Sequence, residues 1–355
     1  MYGDGVLTLD PVKPRVPGAL MFKEAGEAAS VVAGQLADNA ARMRRLGEAL
    51  RTLSPRAVVT CARGSSDHAA TFAKYLFETR LGVLTSSAAL SVSSVYGSEQ
   101  DLEGVLFLAI SQSGKSPDLL SAVKAAKDGG AFVVAMVNDT ASPLAQIADE
   151  TIPLAAGPEL SVAATKSYIA SLSAIIHLTA EWSRDADLLG ALKRLPALLE
   201  QAWALDWTPA ADALKDARNL YVLGRGVGYA AAQEAALKFK ETCGLHAESF
   251  SAAEVQHGPM ALVKDGFPLL VFAQDDESRA SVETLIAEMA GRGADVWSAG
   301  ATDAGTGALP ALRAHPVLEP ILLIQSFYRM IHGLALARGY DPDQPPHLNK
   351  VTETV

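Results

Sequence analysis

Continuous apolar runs, not alternating ones, mark the first half of the chain: RAVVTCA (56–62), GVLFLAI (104–110), AFVVAMV (131–137) and TIPLAA (151–156). A strand that is apolar at successive positions is buried on both faces, as in a parallel sheet covered by helices. Alanine-rich stretches such as DLLSAVKAAKD (118–128) lie between the runs and read as the covering helices. From Ala163 to Trp203 the pattern turns helical, with a break at RLPALL, and its later part reads as a connector.

The pattern then starts again. RAVVTCARGSS at 56–66 aligns with RNLYVLGRGVG at 218–228, setting Arg63 and Gly64 against Arg225 and Gly226. GVLFLAISQS at 104 aligns with GFPLLVFAQD at 266, setting Gln112 against Gln274, at the same offset of 162 residues. A shared offset across two separated strands predicts duplication. The expected fold is therefore α/β, with two tandem halves that each carry a doubly wound, flavodoxin-like parallel sheet flanked by helices. The predicted boundaries are an N-terminal segment and helix at 1–39, a first half at 40–183 and a connector at 184–206. A second half at 207–338 and a tail at 339–355 complete the chain.

The copies differ just after their second long strand. The first reads AISQSGKS (109–116), whose Gly-Lys-Ser ending resembles a nucleotide-binding P-loop. That loop needs a glycine five positions before Gly114, and Ala109 stands there. What remains is a serine-rich turn at the carboxyl end of a strand, where open parallel sheets bind ligands and helix N-termini attract anions. Ser111, Ser113 and Ser116 offer hydroxyls, and Gly114 lets the backbone approach closely. The second copy reads QDDESR, and its Asp275, Asp276 and Glu277 would repel a phosphate. GRGVGY (224–229) has Tyr229 where a dinucleotide fingerprint needs its third glycine, so Gly224 and Gly226 read as a tight strand-to-helix turn.

Composition narrows the classes. Hydrophobic residues at 49% and charged residues at 20% describe a globular chain. A net charge of -10 argues against a nucleic-acid footprint, though not against a small anion held by local donors. Two cysteines, Cys61 and Cys243, provide no disulfide framework, and no histidine pair has zinc-ligand spacing. The first residues lack the apolar core of a secretion signal, and no uninterrupted apolar run spans a membrane. A soluble, cytoplasmic protein with no metal, no cofactor and no membrane or nucleic-acid partner is expected.

Four ordered blocks, SQSGKSPD, SVAATKSY (161–168), ALKFKETCGLHAESFSAAEVQHGP (236–259) and the tail PHLNKVTETV, resemble the double sugar-isomerase-domain (SIS) family. That family includes the isomerase portion of the glutamine–fructose-6-phosphate amidotransferases. The resemblance covers about residues 20 to 355 and implies a phosphosugar site at the first half's strand ends. Carried over, Ser111, Gln112, Ser113 and Ser116 hold the phosphate, while Gly64, Ser65, Ser66, Val162, Ala163 and Lys238 line the sugar. Glu241 falls on the family's proton-shuttling carboxylate, His257 on its ring-opening histidine and Lys350 on its Schiff-base lysine. Because relatives take that histidine from the neighbouring subunit, a homodimer is implied. Ala164 replaces a serine usual in the family, which removes one hydroxyl. No glutamine-splitting domain is recognisable, since Tyr2 follows Met1 and the first cysteine is Cys61. The expected activity is therefore that of the stand-alone relatives: glucosamine 6-phosphate to fructose 6-phosphate plus ammonia. The alternatives are a ketose–aldose isomerase, a synthase fed with nitrogen, a galactosamine or deglycating deaminase, and a non-catalytic sugar-phosphate sensor.

The residues suit that chemistry in different degrees. Glu234, Leu237, Lys238 and Glu241 share one side of a helix, where a carboxylate could move a proton between C1 and C2 or merely form a solvated Glu–Lys pair. His257, in VQHGP, is in a loop, where a histidine is ordinarily a surface polar residue but can titrate near neutral pH. Lys350 would be solvated in a frayed end, yet PHLNKVTETV is apolar enough to fold over a site as a lid. His177 and His332 sit in apolar helical surroundings and read as core or interface.

Overall fold

The computed structural model describes residues 16–302 and 307–350. Among them, ten strands form two five-stranded sheets, parallel throughout. The first contains β1 (Ala57–Cys61), β2 (Thr85–Ser87), β3 (Val105–Ser111), β4 (Phe132–Val137) and β5 (Glu150–Pro153) in the order β2-β1-β3-β4-β5. The second contains β6 (Asn219–Gly224), β7 (His246–Ser251), β8 (Pro268–Phe272), β9 (Asp295–Ala299) and β10 (Gly307–Leu309) in the order β10-β9-β8-β6-β7. Reversed, the second order is the first renumbered, so the duplication expected from the shared offset is present in the topology. Central β3 is buried at all seven positions, which is why its sequence shows no alternation.

The two halves do not have separate interiors. One cluster of buried residues joins Val58 and Leu106 of the first sheet to Val222 and Leu270 of the second. Between them lie helices Lys166–Ser183 and Glu319–Ala337, both buried along most of their length. Phe327 meets Phe239 and Phe272 edge-on, with ring centroids 5.2 and 6.2 Å apart. Ser171 and Thr179 return their hydroxyls to carbonyls one turn back, at 2.8 Å each, so a helix with polar residues can sit in this core. His177 is buried there, and burial pushes its imidazole down to about 4.

One detail differs from the sequence reading. Helix Ala28–Leu53 runs unbroken through position 40, where the first half was taken to begin. Helix Glu319–Ala337 is long and apolar enough to cross a membrane by length and composition, but 72% of its apolar window is buried inside the fold, as a core helix requires. The connector holds two short helices, Ala186–Leu192 and Leu195–Ala204, and Pro196 opens the second.

Candidate active site

The order β2-β1-β3-β4-β5 reverses direction between β1 and β3, and the crevice at such a switch point is where ligands bind. Two turns build it. After β1 the chain passes through Gly64, with φ +53° and ψ −133°, a conformation L side chains avoid, and enters helix Ser65–Leu81. After β3 it turns through Gly114 at φ +63°, whose N–H donates to Ser111 Oγ at 3.0 Å. A Cβ on Gly114 would also collide with the Ser142 side chain, so backbone and space both demand glycine. Ser116 then caps helix Pro117–Asp128, making no side-chain capping bond of its own, so its hydroxyl remains available.

These turns edge a cavity of about 220 Å³. Gly64, Ser65, Ser66, Ser111, Gln112, Ser113, Ser116 and Val162 line it, and Lys238 and Glu241 face it from helix Gly228–Cys243. Leu348, Asn349 and Lys350 complete the wall, so the tail does reach the site. Ala163 does not line it. Val162 and Ala164 line the cavity, while Ala163, in the bend between them, is fully buried in the core. A larger cavity of about 670 Å³ lies at the amino ends of β3 and β4, edged by Glu99, Asp101, Glu103 and Asp128. Its carboxylates disfavour an anion, so the smaller cavity is the candidate site.

Charge is concentrated on one wall. Lys238 is fully buried and donates to Glu241 at 2.6 Å and to Ser65 Oγ at 3.1 Å, with Glu234 at 3.3 Å. Burial opposes its charge, but Glu234 and Glu241 hold it above the ordinary lysine range. Burial likewise opposes ionisation of Glu234, yet Lys238 and His68 keep that carboxyl below the usual glutamate value. Glu241 is partly exposed and faces the cavity, held in place by the lysine beneath it.

The described part of the tail, as far as Lys350, is fastened to the fold. Asp341 accepts Gly18 N–H at 2.9 Å, and Asp343 accepts those of Leu20 and Met21 at 3.0 and 2.7 Å. Lys350 Nζ donates to the Ser161 carbonyl at 2.7 Å and to Glu159 at 3.2 Å. Glu159 is buried, which alone would raise its pKa, and Lys350 with donors from Thr165 and Ser167 lowers it instead. An amine engaged in this way must leave Glu159 before it can attack a carbonyl.

His257 is exposed at the end of the short turn Glu254–Gln256 and does not line the cavity of its own chain. Cys61 and Cys243 are buried, and burial pushes both thiols up to about 12, so neither is a nucleophile.

The SIS domain model matches residues 53–180 and 213–311, one match on each half. The chain belongs to the SIS domain family. Among curated relatives, the glutamine–fructose-6-phosphate aminotransferase (isomerizing) of Aeropyrum pernix is 35% identical over 81% of this chain and 49% of its own length. That of Pyrococcus horikoshii is 32% identical over 93% of this chain and 57% of its own. The chain thus spans about half the length of the curated relatives it matches. Among solved structures, a candidate phosphosugar isomerase from Silicibacter pomeroyi is 42% identical with a TM-score of 0.86, covering 92% of this chain and all of that one. The C-terminal domain of the Francisella tularensis glucosamine-fructose-6-phosphate aminotransferase is 26% identical with a TM-score of 0.81, covering 92% and 98%.

Several residues at this SIS site were not picked out from sequence. Arg63 lines the cavity and pairs through Nε and Nη2 with buried Asp118, at 3.0 and 2.8 Å, tying the turn after β1 to the helix after β3. Its only sequence signal was its match to Arg225 in the repeat. Ser167 and Tyr168 fall within the SVAATKSY block without having been singled out, and Glu159 gave no signal.

Proposed function

We propose that the protein is an aminosugar-phosphate deaminase that converts glucosamine 6-phosphate and water into fructose 6-phosphate and ammonia. One observation carries this reading: a carboxylate held by a buried lysine, Glu241 on Lys238, faces a serine-lined switch-point crevice across a cavity of sugar size. The phosphate sits among Ser111, Ser113 and Ser116 beside Arg63, at the N-terminus of helix Pro117–Asp128. In the open-chain sugar Glu241 takes the C2 proton and returns it to C1, which leaves an imine at C2. Water adds to that carbon, the C–N bond breaks, and ammonia departs with the proton balance closed. Lys350 orients the sugar from the tail, since a Schiff base is not required in this direction. Cys61 and Cys243 remain free thiols, in keeping with a reducing cytoplasm.

His257 opens the sugar ring in this scheme, but for the neighbouring chain of a homodimer, because it lies outside its own cavity. Mixing inactive Glu241→Gln and His257→Asn proteins then restores part of the activity, since mixed dimers hold one intact site. No restoration would place the histidine elsewhere.

The direct test is ammonia and fructose 6-phosphate released in equal amounts from glucosamine 6-phosphate, with the galacto epimer alongside. Turnover of neither sinks the deaminase. The second reading is ketose–aldose isomerisation without nitrogen, which uses the same proton transfer and is favoured by the likeness at 42% identity to a candidate phosphosugar isomerase. Glucose 6-phosphate turnover with no ammonia chemistry would select it.

A further inference from the structure

His68 lies one turn beyond Ser65 on helix Ser65–Leu81 and does not line the cavity. Its Nδ1 is 2.9 Å from Glu234 Oε2, and among the described residues it is the partner of that oxygen. The other oxygen of Glu234 receives Ser65 Oγ at 3.1 Å, Tyr328 OH at 3.0 Å and Lys238 Nζ at 3.3 Å. Glu234 and Lys238 have no solvent exposure. Two carboxylates, Glu234 and Glu241, therefore share one buried ammonium, and its shorter bond is to Glu241, at 2.6 Å.

A buried carboxylate needs donors on both oxygens. With His68 on Oε2, Glu234 is satisfied without drawing Lys238 inward. Without it, Lys238 is the charged donor already beside that carboxylate, at 3.3 Å, and turning toward the bare oxygen would take it from Glu241. The charged groups that meet the imidazole are Glu234, through their hydrogen bond, and Asp67 on its own helix, while Lys238 and the buried phenols Tyr168 and Tyr328 lie against Glu234. Glu234, kept ionised by Lys238 and His68, can only accept, so Nδ1 must carry the proton. Packing alone does not call for histidine there, since the matching position of the second half is Ala230.

We infer that His68 is a positioning residue: through Glu234 it keeps Lys238 turned toward Glu241, and so keeps Glu241 aimed into the cavity. The inference rests on the proton transfer proposed above. Steady-state kinetics of His68→Leu and His68→Asn test it, because the Asn amide nitrogen can stand where Nδ1 stands. His68→Leu is expected to lower kcat roughly tenfold, the scale of one lost hydrogen bond, at nearly unchanged KM, since the phosphate turn is untouched. His68→Asn is expected to recover most of kcat. A full kcat in the Leu variant, equal losses in both, or a rise in KM alone would overturn it. Nitrogen-15 spectra of the resting protein need no substrate and separate this failure from a failure of the deaminase reading. The ring signals missing in His68→Asn should report a protonated Nδ1, and the Lys238 Nζ signal should move in His68→Leu but not in His68→Asn. A bare Nδ1 or an unmoved lysine signal rejects the role even if the wild type turns over no aminosugar phosphate.

Discussion

The two halves share one topology, yet their switch-point crevices are furnished differently. Between β1 and β3, the serines and glycines leave a cavity. Between β6 and β8, Gln274 reaches across instead, donating to the Arg225 carbonyl at 2.7 Å, to Asp276 at 2.8 Å and to Ser278 Oγ at 3.1 Å. Asp276 is occupied in turn by Ser278, and Asp275 by Arg279. The polar groups of the second crevice thus bond largely to one another, although Gln274 Oε1 is buried with no partner among the described residues. What that half supplies instead is the flank of helix Gly228–Cys243, which packs on helix Ser65–Leu81 and brings Lys238 and Glu241 to the first half's crevice. On the proposed reading, duplication left the anion anchor on one copy and the proton-moving groups on the other.

The largest test of this division is Glu241→Gln. It should lower kcat by about 10²–10⁴ while leaving the melting temperature nearly unchanged, because the side chain is partly exposed. A fall in stability instead of kcat would return Glu241 to a structural role. Next come two glycines, one per crevice. Gly114→Ala meets both a positive φ and Ser142, so it should cost about 1–3 kcal/mol and raise the substrate KM about tenfold or more. Gly228→Ala presses on the Gln274 amide and should affect thermal stability only. A KM effect from Gly228→Ala would break the contrast between the crevices. Smaller still, Ser113→Ala or Ser116→Ala should each raise KM by about fivefold, the scale of one hydrogen bond, while Ser278→Ala leaves it alone.

The smallest effect is a slope. Glu159 in the first half has its folded pKa lowered, so its stabilisation is complete above the ordinary value of 4.5 and is lost as pH falls through the folded value. Glu319, beside the second sheet, has its carboxyl raised by burial, so stability rises as pH falls through its folded value toward 4.5. Chemical denaturation against pH should therefore become less acid-sensitive in Glu159→Gln and more so in Glu319→Gln. Equal slopes in the two variants would contradict the opposite environments.

The interior strands β1, β3, β4, β6 and β8 were legible because burial against helices leaves a largely apolar run, whereas β9, which reads DVWSA with two polar residues, was not picked out by its own pattern. Edge strands β2, β7 and β10 were not read as strands. β2 and β10 have three residues each, and β7 reads HAESFS with one side largely in solvent, so neither length nor pattern distinguishes them from loops. At the site, the serine turn and the helical spacing of Glu234, Lys238 and Glu241 were visible as local patterns, and the family resemblance picked out Lys350. The pairs that orient them were not. His68 and Glu234 are 166 residues apart, Lys350 and Glu159 are 191 apart, and Arg63 and Asp118 are 55 apart. A partner at such distance is set by how helices dock, which one sequence does not display.

Asp343 accepts backbone N–H groups from Leu20 and Met21 with its carboxylate, while its carbonyl receives the N–H of Val162 on the cavity wall. One residue is thus a knot joining the opening helix, the loop at the cavity wall and the final stretch. Loosening it, for example with Asp343→Ala, would unlatch the roof over Glu241 from a point that touches no substrate.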